Sequence, residues 1–257
     1  MKLVVLLVAG LFAIAAPSWA DVACPGDYPG HLQGIATDES GNIYWSWTTF
    51  LVKTDATGTL LAKVPVPKHY GDLTWHDGKV YVAVNFGLFN KEPGKAKSWV
   101  CVHDAETLAL LSSNAVPEAV HGAGGIEWHN GHFFVVGGLP ATHTSNYVYE
   151  YTDSFAFVKR HVIESGQTLL GIQTVCRMRD GTWWFGCYGK PAVVLKTDDR
   201  FTFCGKYRFN GAYGLARTEK NGELLVATNR LTAKRNSASV RPVKTETVTA
   251  VIQENNR

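Results

Sequence analysis

The stretch GNIYWSW, residues 41–47, runs from a turn glycine straight into alternating apolar and aromatic side chains. Four further stretches repeat it: GKVYVAV from Gly78, GHFFVVG from Gly131, GTWWFGC from Gly181 and GELLVAT from Gly222. A turn followed at once by a β-branched or aromatic run is a strand signal. Its recurrence at intervals of 37, 53, 50 and 41 residues is that of a repeat in which each unit is a small four-stranded sheet. One such sheet cannot bury both faces alone, so neighbouring units must pack around an axis. The expected fold is therefore all-β, a five-bladed β-propeller. A two-sheet sandwich accepts the same composition but gives no reason for five similar turns.

Each unit divides into four strands. The inner strands are expected at residues 33–38, 72–76, 125–128, 173–178 and 214–218. The third strands begin near Leu51, Trp99, Tyr147, Val193 and Val240. Polar turns at Asp55, Asp104 and Asp198 then lead to outer strands such as those from Thr59 and Phe201; a short acidic side chain suits such a reversal. Residues 239–246 and 247–254 are expected to supply the last two strands of the fifth blade, and residues 21–28 either complete a blade or cover the first one. Trp45, Tyr81, Phe134, Trp184 and Leu225 fall at like positions of the second strands and read as packing between blades.

The N-terminus reads as an export signal. Lys2 precedes an apolar run from Leu3 to Ala16, and Ser18-Trp19-Ala20 carries small residues at the two positions a signal peptidase reads, so residues 1–20 are expected to be removed before Asp21. That run is too short for a confident membrane span, and no second one follows, so no stable transmembrane insertion is expected. Residues 21–257 then form a single propeller domain, secreted or periplasmic. Its charge is almost balanced, 25 basic against 22 acidic residues over the whole chain, and no nucleic-acid partner is expected. Five cysteines, at 24, 101, 176, 187 and 204, suit an exported chain with one or two disulfides.

The segment HLQGIATDESGNIYWS from His31 resembles the inner strand, turn and second strand of secreted propellers in the broad NHL, SMP-30 and glutaminyl-cyclotransferase-like superfamily. That resemblance implies the propeller fold over residues 31 to 255, with either a binding or an enzymatic role. Glutaminyl cyclotransferases of this kind place a glutamate after a QG-containing strand, but the stretch after Gln33-Gly34 reads Ile43-Tyr44-Trp45-Ser46. Of the acidic and amide residues that hold a divalent metal in SMP-30-like hydrolases, Glu127 is the lone match.

Propeller topology puts the connections between blades and those between second and third strands on one face. The longest loops belong to that face, from Phe86, Gly138 and Asn229, and a loop-rich face on a rigid scaffold is where function is expected. His31, His69 and His121 each precede an inner strand there. With Asp72 or Glu127 they are candidates for a divalent metal site that activates water, or for metal-free acid–base catalysis. Gln33, Gln173 and Asn210 offer amides that both donate and accept hydrogen bonds, and Tyr188, Phe86 and Phe89 offer rings for stacking. Lys190, Arg230, Lys234 and Arg235, with Lys91, Lys95 and Lys97, make this face basic. The leading expectation is a propeller that binds a polar or anionic small molecule or glycan; the alternative is a metal-dependent hydrolase or lyase. No G-x-S-x-G elbow, H-E-x-x-H helix or phosphate-binding loop is present.

Overall fold

A computed structural model describes residues 21–250. The expected signal segment, residues 1–20, lies outside the described residues. Strand β1 (Val22–Ala23) comes first. Blade one is β2 (Leu32–Thr37), β3 (Ile43–Trp47), β4 (Phe50–Thr54) and β5 (Leu60–Pro65). Blade two is β6 (Tyr70–His76), β7 (Lys79–Asn85), β8 (Ser98–Asp104) and β9 (Leu110–Ala115). Blade three is β10 (Ala123–His129), β11 (His132–Gly137), β12 (Asn146–Thr152) and β13 (Phe157–Ile163). Blade four is β14 (Leu169–Arg177), β15 (Trp183–Tyr188), β16 (Val193–Thr197) and β17 (Phe203–Arg208). The fifth contains β18 (Leu215–Arg217), β19 (Glu223–Thr232) and β20 (Arg235–Lys244), followed by helix α1 (Thr245–Ala250).

The five antiparallel sheets form a five-bladed β-propeller, with the order β1-β20-β19-β18 in the fifth blade. Its outer strand is thus the first strand of the chain: Val22 pairs with Val240 and Ala23 with Ser239. This corrects the expectation that residues 239–254 hold the last two strands, of which 251–254 lie outside the described residues. Residues 245–250 are helical, and the third strand starts at Arg235 because residues 229–238 are not an open loop. They form a hairpin in which Asn229 pairs with Ala238 and Thr232 with Arg235. Ala233 and Lys234 form its two-residue turn with φ of 50° and 65°, the double positive φ of the turn whose twist matches paired strands. Among the described residues no helix is long and apolar enough to cross a membrane.

Turn chemistry explains the reversals. In the turns after β4, β8 and β16 one aspartate oxygen accepts from two backbone amides. Asp55 takes those of Thr57 and Thr59 at 2.8 Å each, Asp104 those of Glu106 and Thr107, and Asp198 those of Arg200 and Thr202. Hydrogen bonds to the charged form hold the Asp55 carboxyl down to about 2. Blade three has Thr152 at this place, whose hydroxyl accepts from Ala156 N.

One apolar cluster fills each interface between blades. Tyr44 and Leu73 lie between blades one and two, Tyr81 and Phe133 between two and three, Phe134 and Trp183 between three and four, and Trp184 and Leu224 between four and five. The ring closes where Tyr28, Trp45, Trp47, Leu225 and Val240 pack together. All five second-strand positions read as packing sites are buried here.

The expected disulfides are absent: all five cysteines are free thiols. Cys24, Cys101, Cys176 and Cys187 belong to four different interfaces, too far apart in the ring for bonding geometry. Cys176, Cys187 and Cys204 sit on β14, β15 and β17, the inner, second and outer strands of blade four.

Two outcomes follow from the closure and the thiols. Tyr28 is fully buried, stacked on Trp47 with ring centroids 3.9 Å apart, and Tyr28→Ala is expected to lower the unfolding free energy by about 3–5 kcal/mol in a denaturant titration. A thiol reagent added to the native protein is expected to consume one equivalent quickly, at the exposed Cys204, and the other four only on unfolding; fast reaction at a second thiol would contradict the packing.

Candidate functional site

The axis is crowded, so the inner strands carry glycines. A Cβ on Gly71 would meet the Gly124 carbonyl at 2.4 Å, and one on Gly34 would lie 2.0 Å from Asp72 Oδ1. Asp72 fills the space these glycines leave open. It is fully buried on β6, and its Oδ2 accepts from Val175 N of blade four at 3.0 Å, while its Oδ1 has no hydrogen-bond partner among the described residues. Burial pushes this carboxyl well above its ordinary value, although the Val175, Leu73 and Ile35 amides oppose the shift. Burial thus favours the protonated form of this side chain, which sits at the waist of the channel and touches blades one, three and four from its place in blade two.

Above this waist, on the loop-rich face, a cavity of about 380 Å³ opens. His31, Gln33, Lys68, His69, Gln173 and Tyr188 line it together with Phe89 and Leu170. His31 Nε2 and the Tyr188 hydroxyl are 3.0 Å apart, and this pair is shared with a neighbouring cavity of about 540 Å³ that also takes in Tyr213, Asn229, Leu231 and Lys234. The two form one trough from the axis to the blade-five hairpin. Burial first, then the nearby His69, pull the His31 imidazole below its ordinary value; burial and Lys68 do the same to His69. Both rings are accordingly neutral at pH 7. Gln173 donates Nε2 to the Leu170 carbonyl at 2.8 Å, which fixes the amide while its oxygen accepts nothing from the described residues. No aspartate or glutamate lines either part of the trough.

The candidate catalytic set does not assemble. His31 and His69 share the cavity, but His121 lies outside its lining, buried with Nδ1 donating to the Lys91 carbonyl at 2.8 Å and its ring against His143. Asp72 is below at the waist. Glu127 is below that, at the opposite mouth, where it accepts from the Thr74 hydroxyl at 2.9 Å and from Trp128 N at 3.0 Å. Among the described residues no group of three His, Cys, Asp or Glu is placed to hold a metal ion, so the residues present do not fit the divalent metal that His31, His69 and His121 suggested.

The ligand-binding set divides similarly. Gln33, Gln173, Tyr188 and Lys234 line the trough. Arg235 is committed elsewhere: Nη2 donates to Asp27 Oδ1 at 2.7 Å and to the Asp27 carbonyl at 2.8 Å, tying the N-terminal segment to the hairpin. Arg230 lies between Asn229 and Leu231 on β19, and because strand side chains alternate in direction it faces away from the trough those two line. Asn210 caps a turn by accepting from Ala212 N, and it and Lys190 are exposed outside the lining. Lys91, Lys95 and Lys97 point to water on the loop of residues 86–97. Lys68 was not singled out from sequence; its place beside His69, before an inner strand, is the signal that marks it.

No family model and no curated protein matches this chain. A solved structure of a protein of unknown function from Bacteroides caccae is similar over 79% of this chain and 71% of that one, at 13% identity and a TM-score of 0.47.

The buried carboxyl makes stability depend on pH in a defined direction. Its folded-state pKa is raised above the unfolded value of 3.8, so the wild type loses stability as pH climbs above that value, where the unfolded chain ionises and the folded one does not. Denaturation series across this range are expected to show a shallower loss for Asp72→Asn; equal slopes would rule out a raised Asp72 carboxyl.

Proposed function

We propose that this chain is an exported binding propeller, secreted or periplasmic, whose loop-face trough takes a polar small molecule or glycan end bearing a negative group. One observation carries the reading: the trough has Lys68 and Lys234, fixed amides and aromatic rings, and no carboxylate. A cavity of about 380 Å³ falls in the range of small-molecule sites, and apolar walls with few placed polar groups are their usual make-up. Gln33, Gln173 and the His31–Tyr188 pair address hydroxyls and carbonyls. Phe89 and Tyr188 offer faces to a ring, and Lys68 attracts the charge. Membership of the NHL and SMP-30-like group of propellers accords with five four-stranded blades and a site at the loop-side mouth. Export accords with the signal-like residues 1–20, because cleavage before Asp21 leaves the closing strand at Val22 intact.

Thermal-shift and calorimetric titration with uronic acids, dicarboxylates and acidic amino acids tests this. At least one probe is expected to stabilise the wild type. Lys68→Ala is expected to weaken that probe about tenfold or more, the loss of one charge-assisted contact, and Gln173→Ala to weaken it too. Affinity is expected to rise as pH falls below 6.5, since both cavity histidines then gain charge from depressed values. A panel without any hit, or unchanged affinity in both variants, would sink the proposal.

A further inference from the structure

The opposite face of the propeller carries a second charged cavity, of about 390 Å³, lined by Glu39, His129, Arg177, Arg179, Arg217 and Glu219 among others. Three of these residues come from one structural position. His129 ends β10, Arg177 ends β14 and Arg217 ends β18, so the last residue of the inner strand in three successive blades presents a cation or an imidazole at the turn-side mouth of the channel. The corresponding ends of β2 and β6 are Thr37 and His76, and His76 is occupied, stacked on Trp128 with centroids 3.5 Å apart.

The nearby carboxylates do not neutralise this group. Glu219 is bonded to Arg179, Glu127 is engaged by Thr74 and Trp128, and Asp180 by the amide and hydroxyl of Thr182. Glu39 is exposed at the rim. Among the described residues neither Arg177 nor Arg217 forms an ion pair; Asp199, Glu127 and Asp180 act on Arg177 only from longer range. The Arg177 guanidinium touches the Met178 carbonyl at 3.5 Å and stands over the Trp183 ring at 5.8 Å, which leaves most of its donors open. Burial and the Arg217 charge both press the Arg177 guanidinium toward its neutral form, and His129 is pulled down by burial and by these two arginines. Like charges lining one cavity repel each other, a cost that a bound anion would relieve.

We infer that Arg177 and Arg217, with His129 beside them, form a cradle for a phosphate- or sulfate-type oxyanion on the turn face, separate from the loop-side trough. Two guanidiniums offer planar forks that match a tetrahedral oxyanion bidentately, and the neutral His129 adds one N–H donor without a further charge. The oxyanion is either free in solution or the ester group of a larger molecule, and the same contacts serve both.

Calorimetric titration of the full-length mature protein at pH 7 and low ionic strength, with inorganic phosphate and with glucose 6-phosphate, tests the site. Saturable binding is expected for at least one probe, with a component weakened about tenfold or more in Arg177→Gln and in Arg217→Gln that persists in Lys68→Ala whether or not the trough also takes the probe. Equal affinity for the two probes would identify the free ion, and tighter binding of the ester a group on a larger molecule. Should an arginine variant misfold, proton NMR of the wild type reads the same site: the His129 ring resonance is expected to shift with added phosphate along the same isotherm. Absence of saturable binding, retention of affinity in both arginine variants, a still His129 resonance, or disappearance of the arginine-dependent component in Lys68→Ala would overturn the inference.

Discussion

Closure of the ring is the constraint on which the remaining structure depends. Five sheets packed face to face bury their surfaces only if the last meets the first, and here the fifth sheet is completed by the start of the chain. Two backbone pairings of β1 with β20 are short for this purpose, and side chains reinforce them. Tyr28 stacks on Trp47 of blade one while its backbone pairs with Asn236 of blade five, and Arg235 grips Asp27. The segment of residues 22–28 therefore belongs to both sides of the seam. The same extension of β19 and β20 that receives it builds one wall of the trough through Asn229, Leu231 and Lys234.

Around the axis, convergence of five inner strands leaves little space, and the sequence answers with glycine wherever backbone meets backbone. Asp72 is the exception, and Gly34 exists beside it because any side chain there would overlap the carboxyl. Burial favours the protonated form of this acid, which is bonded to Val175 of blade four and in that form costs far less than a buried charge. Because this residue closes the waist, the two mouths are separate environments. The loop side holds neutral imidazoles, amides and aromatic rings; the turn side holds arginines from the ends of successive inner strands.

The difference between charge counting along loops and charge at a site is instructive. Lys91, Lys95, Lys97, Lys190 and Arg230 sit on long loops or on the hairpin and point to water, where long side chains are best solvated. The cations that face cavities, Lys68 and Lys234 on one side and Arg177 and Arg217 on the other, sit at turns or strand ends whose direction is set by the sheets. His121 likewise preceded an inner strand as His31 and His69 do, yet a bond to the Lys91 carbonyl turns it into the wall.

The amino-acid sequence by itself determined the all-β class, the number of blades and the packing role of the second-strand aromatics. Those properties are written in local periodicity and turn residues, and period-two alternation needs no distant partner to be read. It also marked the loop-rich face and seven residues that line its trough, His31, Gln33, His69, Phe89, Gln173, Tyr188 and Lys234, through their places beside inner strands, on a long loop and in the blade-five hairpin. The tertiary structure alone decided that the first strand closes the last blade, that residues 229–238 form a hairpin, that the cysteines lie apart, and that Asp72 divides the channel with Glu127 beyond it. Each of these is a contact between residues far apart in the chain, fixed by how much of a side chain the ring leaves room to bury, and no local pattern encodes that room.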